Sequence, residues 1–161
     1  MRKGILFIVV FCLVLGFNGC KSKPEEKSFD SIKGTEFRKD ATLTITSPTG
    51  EVKAIYEIEI AATEAACTQG LMYRESMAEN RGMLFDPKGP SETPFWMKNT
   101  YIPLDIIFID KDKKIMHIAK NNTPFSEETI APNGIYRYVL ELNAGQAEKH
   151  NLKIGDLVQW E

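Results

Sequence analysis

The chain has 161 residues, 43% of them hydrophobic and 26% charged, and its formal net charge is −2. This composition is typical of a single globular domain and excludes a chain that is disordered throughout. Basic and acidic residues nearly balance, which excludes a protein that binds nucleic acid mainly through its phosphates. With two histidines a three-histidine metal site cannot be built, and we expect neither a metal nor a cofactor.

A signal peptide is predicted at the N-terminus, over residues 1–19. Two basic residues precede an apolar run at 5–17, and this run is shorter than the roughly 20 residues that span a membrane. The next residues, Phe17-Asn18-Gly19-Cys20, resemble a bacterial lipobox, in which the cysteine receives a lipid. We therefore predict a lipoprotein that Cys20 anchors to a membrane of the cell envelope, on the periplasmic or extracellular face. The alternatives are a signal peptide without lipidation and an uncleaved N-terminal anchor.

Residues 20–40 are predicted to be a flexible tether that begins at the lipidated cysteine. Charged residues of both signs dominate this segment, so it cannot bury enough apolar surface to offset the entropy of ordering. Residues 41–161 would then form a single β-rich domain. Cys12 is lost with the signal peptide and Cys20 carries the lipid, which leaves Cys67 alone in the domain. No internal disulfide is expected.

The domain begins with a predicted β-hairpin. Residues 41–46 are rich in β-branched side chains, and the turn at 47–50 contains Pro48 and Gly50, which favour a tight turn. Apolar and polar residues then alternate over residues 52–60. This alternation has the period of a strand that is buried on one face.

Short elements make up the rest of the domain. Thr63 is predicted to cap a short helix that Gly70 ends, and a second short helix is predicted at 146–150. Further strands are predicted at 82–85, 95–97, 104–109, 115–119, 136–142 and 156–160, with a polar turn at 110–113. Because no βαβ spacing is evident, the predicted fold class is all-β, a mostly antiparallel small barrel or sandwich with one or two short helices.

Two carboxylates, Asp105 and Glu141, occur within apolar strands, each between two large apolar residues. A buried carboxylate costs several kcal/mol unless it is paired or hydrogen-bonded. Asp105 is therefore expected to meet a cation, namely Lys98, Arg74 or Arg81. Each of the two acids is either a structural group, as an ion pair or a turn cap, or part of a functional site.

Residues 96–100 combine an indole, a cation, an amide and a hydroxyl. Strand alternation would place Phe95 and Met97 on one face and Trp96 and Lys98 on the other. A tryptophan beside hydrogen-bonding groups such as Asn99 suits a sugar ring or another flat polar ligand. The alternative is a core tryptophan followed by a turn at 98–100.

Five sequence blocks together resemble the domain of unknown function 192 family over roughly residues 52–158. They are GLMYR at 70–74, GMLF at 82–85, FWMKNT at 95–100, IPLDIIF at 102–108 and VLELNAG at 139–145. The resemblance implies a compact, mostly β domain that is often secreted or lipid-anchored in bacteria and has no established activity. Family members often carry two cysteines in the loop before the last block, where this chain has Phe125 and Ala131.

We predict that the domain binds a small polar ligand or glycan, or serves as an accessory module, rather than acting as an enzyme, and that it is a monomer. The ligand site is predicted to contain Arg74, Trp96, Lys98, Asn99, Asp105 and Glu141. One alternative is an envelope hydrolase with Asp105 and Glu141 as its acid/base pair, and another is a purely structural or protein-partner module. Weaker alternatives are a Cu(I) site of methionine thioethers and a Cys67 nucleophile with His117 as its base.

Overall fold

The computed structural model describes residues 36–161. The predicted signal peptide, Cys20 and most of the predicted tether lie outside the described residues. The elements are β1 (Ala41–Thr46), β2 (Val52–Ala61), α1 (Glu64–Gln69), β3 (Arg81–Phe85), β4 (Leu104–Ile109), β5 (Ile115–Asn122), β6 (Tyr138–Asn143), α2 (Gln146–Lys149) and β7 (Leu157–Trp160). No helix within residues 36–161 is long and apolar enough to cross a membrane.

The strands of this part of the chain form one curled sheet in the order β5-β4-β6-β3-β2-β1-β7. Every neighbouring pair is antiparallel except β2 and β3. The two edge strands meet at one end, where Lys114 bridges to Leu157 and the Val158 N–H donates to the Lys113 carbonyl at 2.8 Å. The result is a half-barrel with two short helices, which confirms the predicted all-β fold class.

The parallel pairing of β2 and β3 was not predicted. Because α1 crosses between these strands, β2, α1 and β3 form a βαβ unit, and the expectation of no such unit was wrong. The helix has only 6 residues, too few for helical periodicity to stand out in the sequence. The rest of the crossover, from the end of α1 to Asn80, consists of turns and loops.

Most predicted local elements agree with the structure. The Thr63 hydroxyl accepts the Ala66 N–H at 3.1 Å at the start of α1, and Gly70 ends this helix with a φ of 49°. The predicted strand at 95–97 does not form, and a single bridge joins Phe95 to Ile130. Pro94 has no N–H for a ladder, and Met97 bonds to Ser126, which breaks the register.

Two clusters of buried apolar residues occupy the two sides of the sheet. All strands of the sheet contribute to the first, which we call the inner cluster because it fills the half-barrel. The second, the outer cluster, lies on the opposite side of β3, β4 and β6, beneath α1 and the loops around residues 95–102. Along β4, Ile106 and Phe108 belong to the outer cluster, whereas Ile107 and Ile109 belong to the inner cluster. Alternate residues of β4 and β6 therefore face opposite sides.

The last residues of the predicted tether contact the domain. The Arg81 guanidinium lies 4.1 Å from the centre of the Phe37 ring, and the Arg38 N–H donates to Glu59 at 3.2 Å. The Asp40 carboxylate accepts the Ile60 N–H at 2.8 Å. Residues 37–40 are thus fastened along β2, just before β1 begins.

Candidate functional site

A pocket of about 770 Å³ opens on the outer side of the sheet, and we call it the outer pocket. Pockets of roughly 300–1,000 Å³ are typical of small-molecule sites. One side consists of α1 and the turn that follows it, within residues 62–72. The other side consists of the end of β3 and the loop up to Thr100, and Tyr136 and Glu141 complete the lining.

Aromatic side chains form much of the pocket wall. The rings of Phe85 and Phe95 meet edge to face with centroids 5.2 Å apart, and the centroids of Phe95 and Tyr136 are 6.2 Å apart. The Tyr136 hydroxyl donates to the Thr93 carbonyl at 3.0 Å. Contacts of this kind hold the rings in place, so the wall is formed before any ligand binds.

Glu141 is the buried acid of the outer pocket. In the sheet it is paired with Met83 of β3 and Ile106 of β4, and both of these residues belong to the outer cluster. Its residue surface is only 6% exposed, and no hydrogen bond or ion pair of its carboxyl group is found among residues 36–161. Burial raises the pKa of Glu141 from 4.5 to about 8. The carboxyl is therefore largely protonated at neutral pH and is free to bond a ligand.

Gly70 allows the ring of Phe85 to pack closely against the end of α1, beside Glu141. A Cβ atom at this position would lie 3.0 Å from Cζ of Phe85 and 4.0 Å from Oε2 of Glu141. The φ of 49° is also in the region that favours glycine. The residue that ends α1 is thus a glycine because the Phe85 ring approaches it closely, next to the carboxyl group of Glu141.

Trp96 lies at the mouth of the outer pocket. It is 49% exposed, whereas Met97 is 1% exposed, so the alternative of a core tryptophan is wrong. Phe95 lines the same pocket as Trp96, so the predicted strand alternation does not describe residues 95–98. The Lys98 ammonium lies 5.2 Å from the centre of the Trp96 ring and 3.8 Å from Glu127. Lys98 does not line the pocket, and its contact with the site runs through the indole.

Arg74 and Asn99 lie outside the pocket lining and connect chain segments. Arg74 forms a two-pronged ion pair with Glu59, with both N–O distances at 2.6 Å. The Asn99 side chain donates to the Tyr73 hydroxyl at 2.8 Å, and the Tyr73 N–H donates to the Asn99 carbonyl at 2.9 Å. Both residues are therefore occupied in joining residues 70–74 to β2 and to the loop at 95–100.

Asp105 faces the inner side of the sheet. Its carboxylate accepts the backbone N–H groups of Asn121 and Ala147, both at 2.8 Å, and Ala147 lies in the first turn of α2. Burial, with a smaller contribution from the Asp105 charge, raises the pKa of the inner-cluster residue Tyr56. The expectation that Asp105 meets a cation was wrong, because two amides from different elements satisfy the carboxylate. It is a helix cap rather than a pocket residue.

The alternative in which Asp105 and Glu141 form an acid/base pair is also wrong. In the register of β4 and β6, Asp105 pairs with Leu142 and Ile106 pairs with Glu141. Leu142 belongs to the inner cluster and Ile106 to the outer cluster. Because paired residues share a face, the sheet separates the two carboxyl groups, and they cannot act on one bond.

Cys67 lines the outer pocket but is not set up as a nucleophile. Its thiol donates to the Ala61 carbonyl at 3.2 Å. Burial, and secondarily the charge of Asp86, raises the pKa of Cys67, so the reactive thiolate is scarce. His117, its proposed base, instead stacks on Phe108 with ring centres 5.7 Å apart and bonds to Asn133. Within residues 36–161 no group of three His, Cys, Asp or Glu side chains could hold a metal ion.

Several pocket residues were not predicted from the sequence. Phe85 and Tyr136 looked like ordinary ends of apolar runs, and Gly70 looked like a helix terminator. Thr100 was grouped with a turn, yet it is buried and lines the pocket. Of the six predicted ligand residues, the structure brings Trp96 and Glu141 into the outer pocket and leaves Arg74, Lys98, Asn99 and Asp105 outside its lining.

Residues 36–161 thus form a small β half-barrel with a pocket on its outer face. The model of the domain of unknown function 192 family, described as uncharacterized ACR, matches residues 44–160. The chain belongs to this family, and the resemblance read from its five blocks is confirmed.

Two solved structures are similar to this chain. A protein of unknown function from Novosphingobium aromaticivorans is 39% identical, with a TM-score of 0.70, and the match covers 74% of this chain and 84% of that one. A protein from Sinorhizobium meliloti, provisionally described as a transcription regulator, is 36% identical with a TM-score of 0.73, covering 78% and 98%. None of the curated proteins compared with the chain matches it.

Proposed function

We propose that this protein is a lipid-anchored protein of the cell envelope whose β domain binds a small polar ligand, glycans foremost, in the outer pocket. One observation carries the proposal. Glu141 is 6% exposed, and its carboxyl group faces a pocket of about 770 Å³ without a protein partner in residues 36–161. The carboxyl oxygens reach the pocket and have no protein partner there, so a ligand in the pocket can hydrogen-bond to them at little cost to the fold.

The pocket has the two elements that a sugar or similar ligand needs. Trp96 offers a half-exposed indole face at the mouth, and aromatic faces stack on the apolar side of a sugar ring. Glu141 and the Thr100 hydroxyl offer hydrogen-bonding groups deeper in the site. Lys98 holds the exposed indole through its cation–π contact, while Arg74, Asn99 and Asp105 support the surrounding loops and strands.

Binding is favoured over catalysis because the described pocket has a single buried carboxyl group, that of Glu141, whose pKa of about 8 lies near neutral pH. Hydrolysis of a glycosidic bond ordinarily uses two carboxyl groups on the two sides of that bond. Asp105 is behind the sheet, and Glu64, the other acid in the lining, is exposed on α1. Cys67 is held as a thiol. The site therefore has features for holding a ligand and lacks the usual pair for cleaving one.

The membrane anchor forms part of the same proposal and rests on the sequence of residues 1–20. Because residues 37–40 contact the domain, the free part of the predicted tether is residues 20–36. Its reach would be roughly 20–25 Å, at about 5–6 Å times the square root of its length. The protein would act as a monomer held near the bilayer. A net charge of −2 does not favour binding to nucleic acid through its phosphates.

Intrinsic fluorescence tests ligand binding directly. The protein, in a detergent without sugar groups, is titrated with glucose, glucosamine, N-acetylglucosamine and their short oligomers. We expect a saturable change in emission that Trp96→Phe abolishes. The matched control Trp160→Phe should retain the change, because Trp160 of β7 packs on Tyr138 of β6 and is not part of the pocket lining. If no sugar changes the emission or the amide resonances of residues 67–72, the glycan proposal is wrong.

A further inference from the structure

The charged residues that line the outer pocket lie at different depths. Among its lining residues, Glu64 and Lys88 are exposed and opposite in sign, whereas Glu141 is buried. Nearby guanidinium groups are already paired, Arg74 with Glu59 and Arg137 with Asp86, both at 2.6 Å. Within the described chain, then, the buried end of the pocket holds an acid with no basic counterpart.

The aromatic wall of the pocket also favours a cationic ligand. Phe85, Phe95, Trp96 and Tyr136 all line the pocket, and aromatic faces attract organic cations, most strongly in sites shielded from water. The indole of Trp96 already accepts the Lys98 ammonium on one side at 5.2 Å from its centre. An acid with aromatic walls is the arrangement that recognises ammonium groups.

We propose that Glu141 binds, as a carboxylate, the ammonium group of a small organic cation whose apolar body lies against the aromatic wall. The inference rests on the proposed function and names the ligand class of the same pocket. A ligand nitrogen would contact the Glu141 carboxyl group from inside the pocket, which Glu141, Gly70 and Phe85 line together. Amino sugars and quaternary amines belong to this class.

Other titratable groups near Glu141 do not compete for the role. From α1 come Glu64, which is exposed, and Cys67; from the segment after β3 come Lys88, also exposed, and Asp86, which is paired with Arg137. Tyr136 approaches from the segment before β6. Burial raises the pKa of both Cys67 and Tyr136, so both are uncharged near neutral pH. Glu141 is therefore the group in this set that a cationic ligand would convert from its protonated form to the carboxylate.

Matched pairs of probes test the inference in the full chain, kept in a polyoxyethylene detergent that carries neither sugar nor choline. Choline is compared with its neutral analogue 3,3-dimethylbutan-1-ol at pH 8, and glucosamine with glucose at pH 7, where the amino group is mostly protonated, both by amide chemical shifts. We expect the charged member of at least one pair to bind about 10-fold or more tightly than its neutral partner. Glu141→Gln should reduce this ratio to about 1 while the spectrum stays dispersed. The control Glu51→Gln, at an exposed acid outside the pocket lining, should leave it unchanged.

The remaining outcomes separate the two proposals. Equal binding of charged and neutral members, or a preference that survives Glu141→Gln, overturns the cation assignment and leaves the ligand pocket standing. Binding of neutral glycans without binding of either cation has the same meaning. If neither the matched probes nor the sugar panel perturb residues 67–72, the proposed function itself is contradicted.

Discussion

Asp105 and Glu141 lie on neighbouring strands of one sheet, one register step apart, and point to opposite sides of it. Asp105 accepts two backbone N–H groups on the inner side. Glu141 has no partner among the described residues and faces the outer pocket. Two acids in similar apolar sequences therefore have different roles, one structural and one available to a ligand.

The stability of the protein should fall as the pH rises because of Glu141. Its pKa of about 8 in the folded state lies above its ordinary value of 4.5, so the folded state holds a proton that the unfolded state releases. Stability is therefore greatest below pH 4.5 as far as this group is concerned and is lost as the pH rises through 8. The loss between pH 4.5 and pH 7 is on the order of 3 kcal/mol.

Denaturant unfolding at several pH values measures this effect. Glu141→Gln should remove most of the decline and should be more stable than the wild type at pH 8. The matched control Glu64→Gln alters an exposed acid of the same pocket and should retain the decline. A wild-type pH profile that Glu141→Gln leaves unaltered would show that the carboxyl is not desolvated in solution.

Asp105 should be important for stability rather than for binding. Asp105→Ala leaves the N–H groups of Asn121 and Ala147 without their acceptor in a buried region, which should cost about 2–5 kcal/mol. The exposed turn residue Asp112 provides a matched control, since Asp112→Ala should cost less than about 0.5 kcal/mol. Urea unfolding measures both. A silent Asp105→Ala variant that loses ligand binding would instead place Asp105 in the site.

Arg74 and Glu59 should behave as a coupled structural pair. Removing one partner leaves the other charge buried, so Arg74→Met and Glu59→Leu should each cost about 3–5 kcal/mol. The double variant should cost less than the sum of the two, with a coupling energy above about 1 kcal/mol. A double-mutant cycle in urea measures the coupling, and Lys111→Met at an exposed pair is the control. Additive effects combined with a loss of sugar binding would make Arg74 a ligand residue.

If Cys20 is lipidated, association of the protein with the membrane depends on this residue. Cys20→Ser should release the protein from the membrane fraction or leave an unprocessed precursor, because the acyl chains supply the membrane affinity. The control Cys67→Ser removes the cysteine of the pocket and should stay in the membrane fraction. Fractionation and mass measurement of the mature protein distinguish the two. Unchanged partitioning and processing in Cys20→Ser would contradict the anchor.

Local sequence signals were sufficient for much of the fold. The hairpin of β1 and β2, the Thr63 cap of α1 and the strand β4 were all predicted close to their observed bounds, because turn residues, caps and alternation act over a few neighbouring positions. In each of these cases, residues close in the chain carry the physical cause.

Tertiary structure decided which acid faces the pocket. β4 and β6 are buried on both sides, so nearly every residue is apolar and the alternation that reveals a buried face disappears. The sequence therefore determined that Asp105 and Glu141 lie in buried strands but not which side each one faces. The same applies to the Arg74–Glu59 pair and to the parallel pairing of β2 and β3, which join distant segments. Only the strand register could assign these partners, because one residue of register reverses every side chain in a strand.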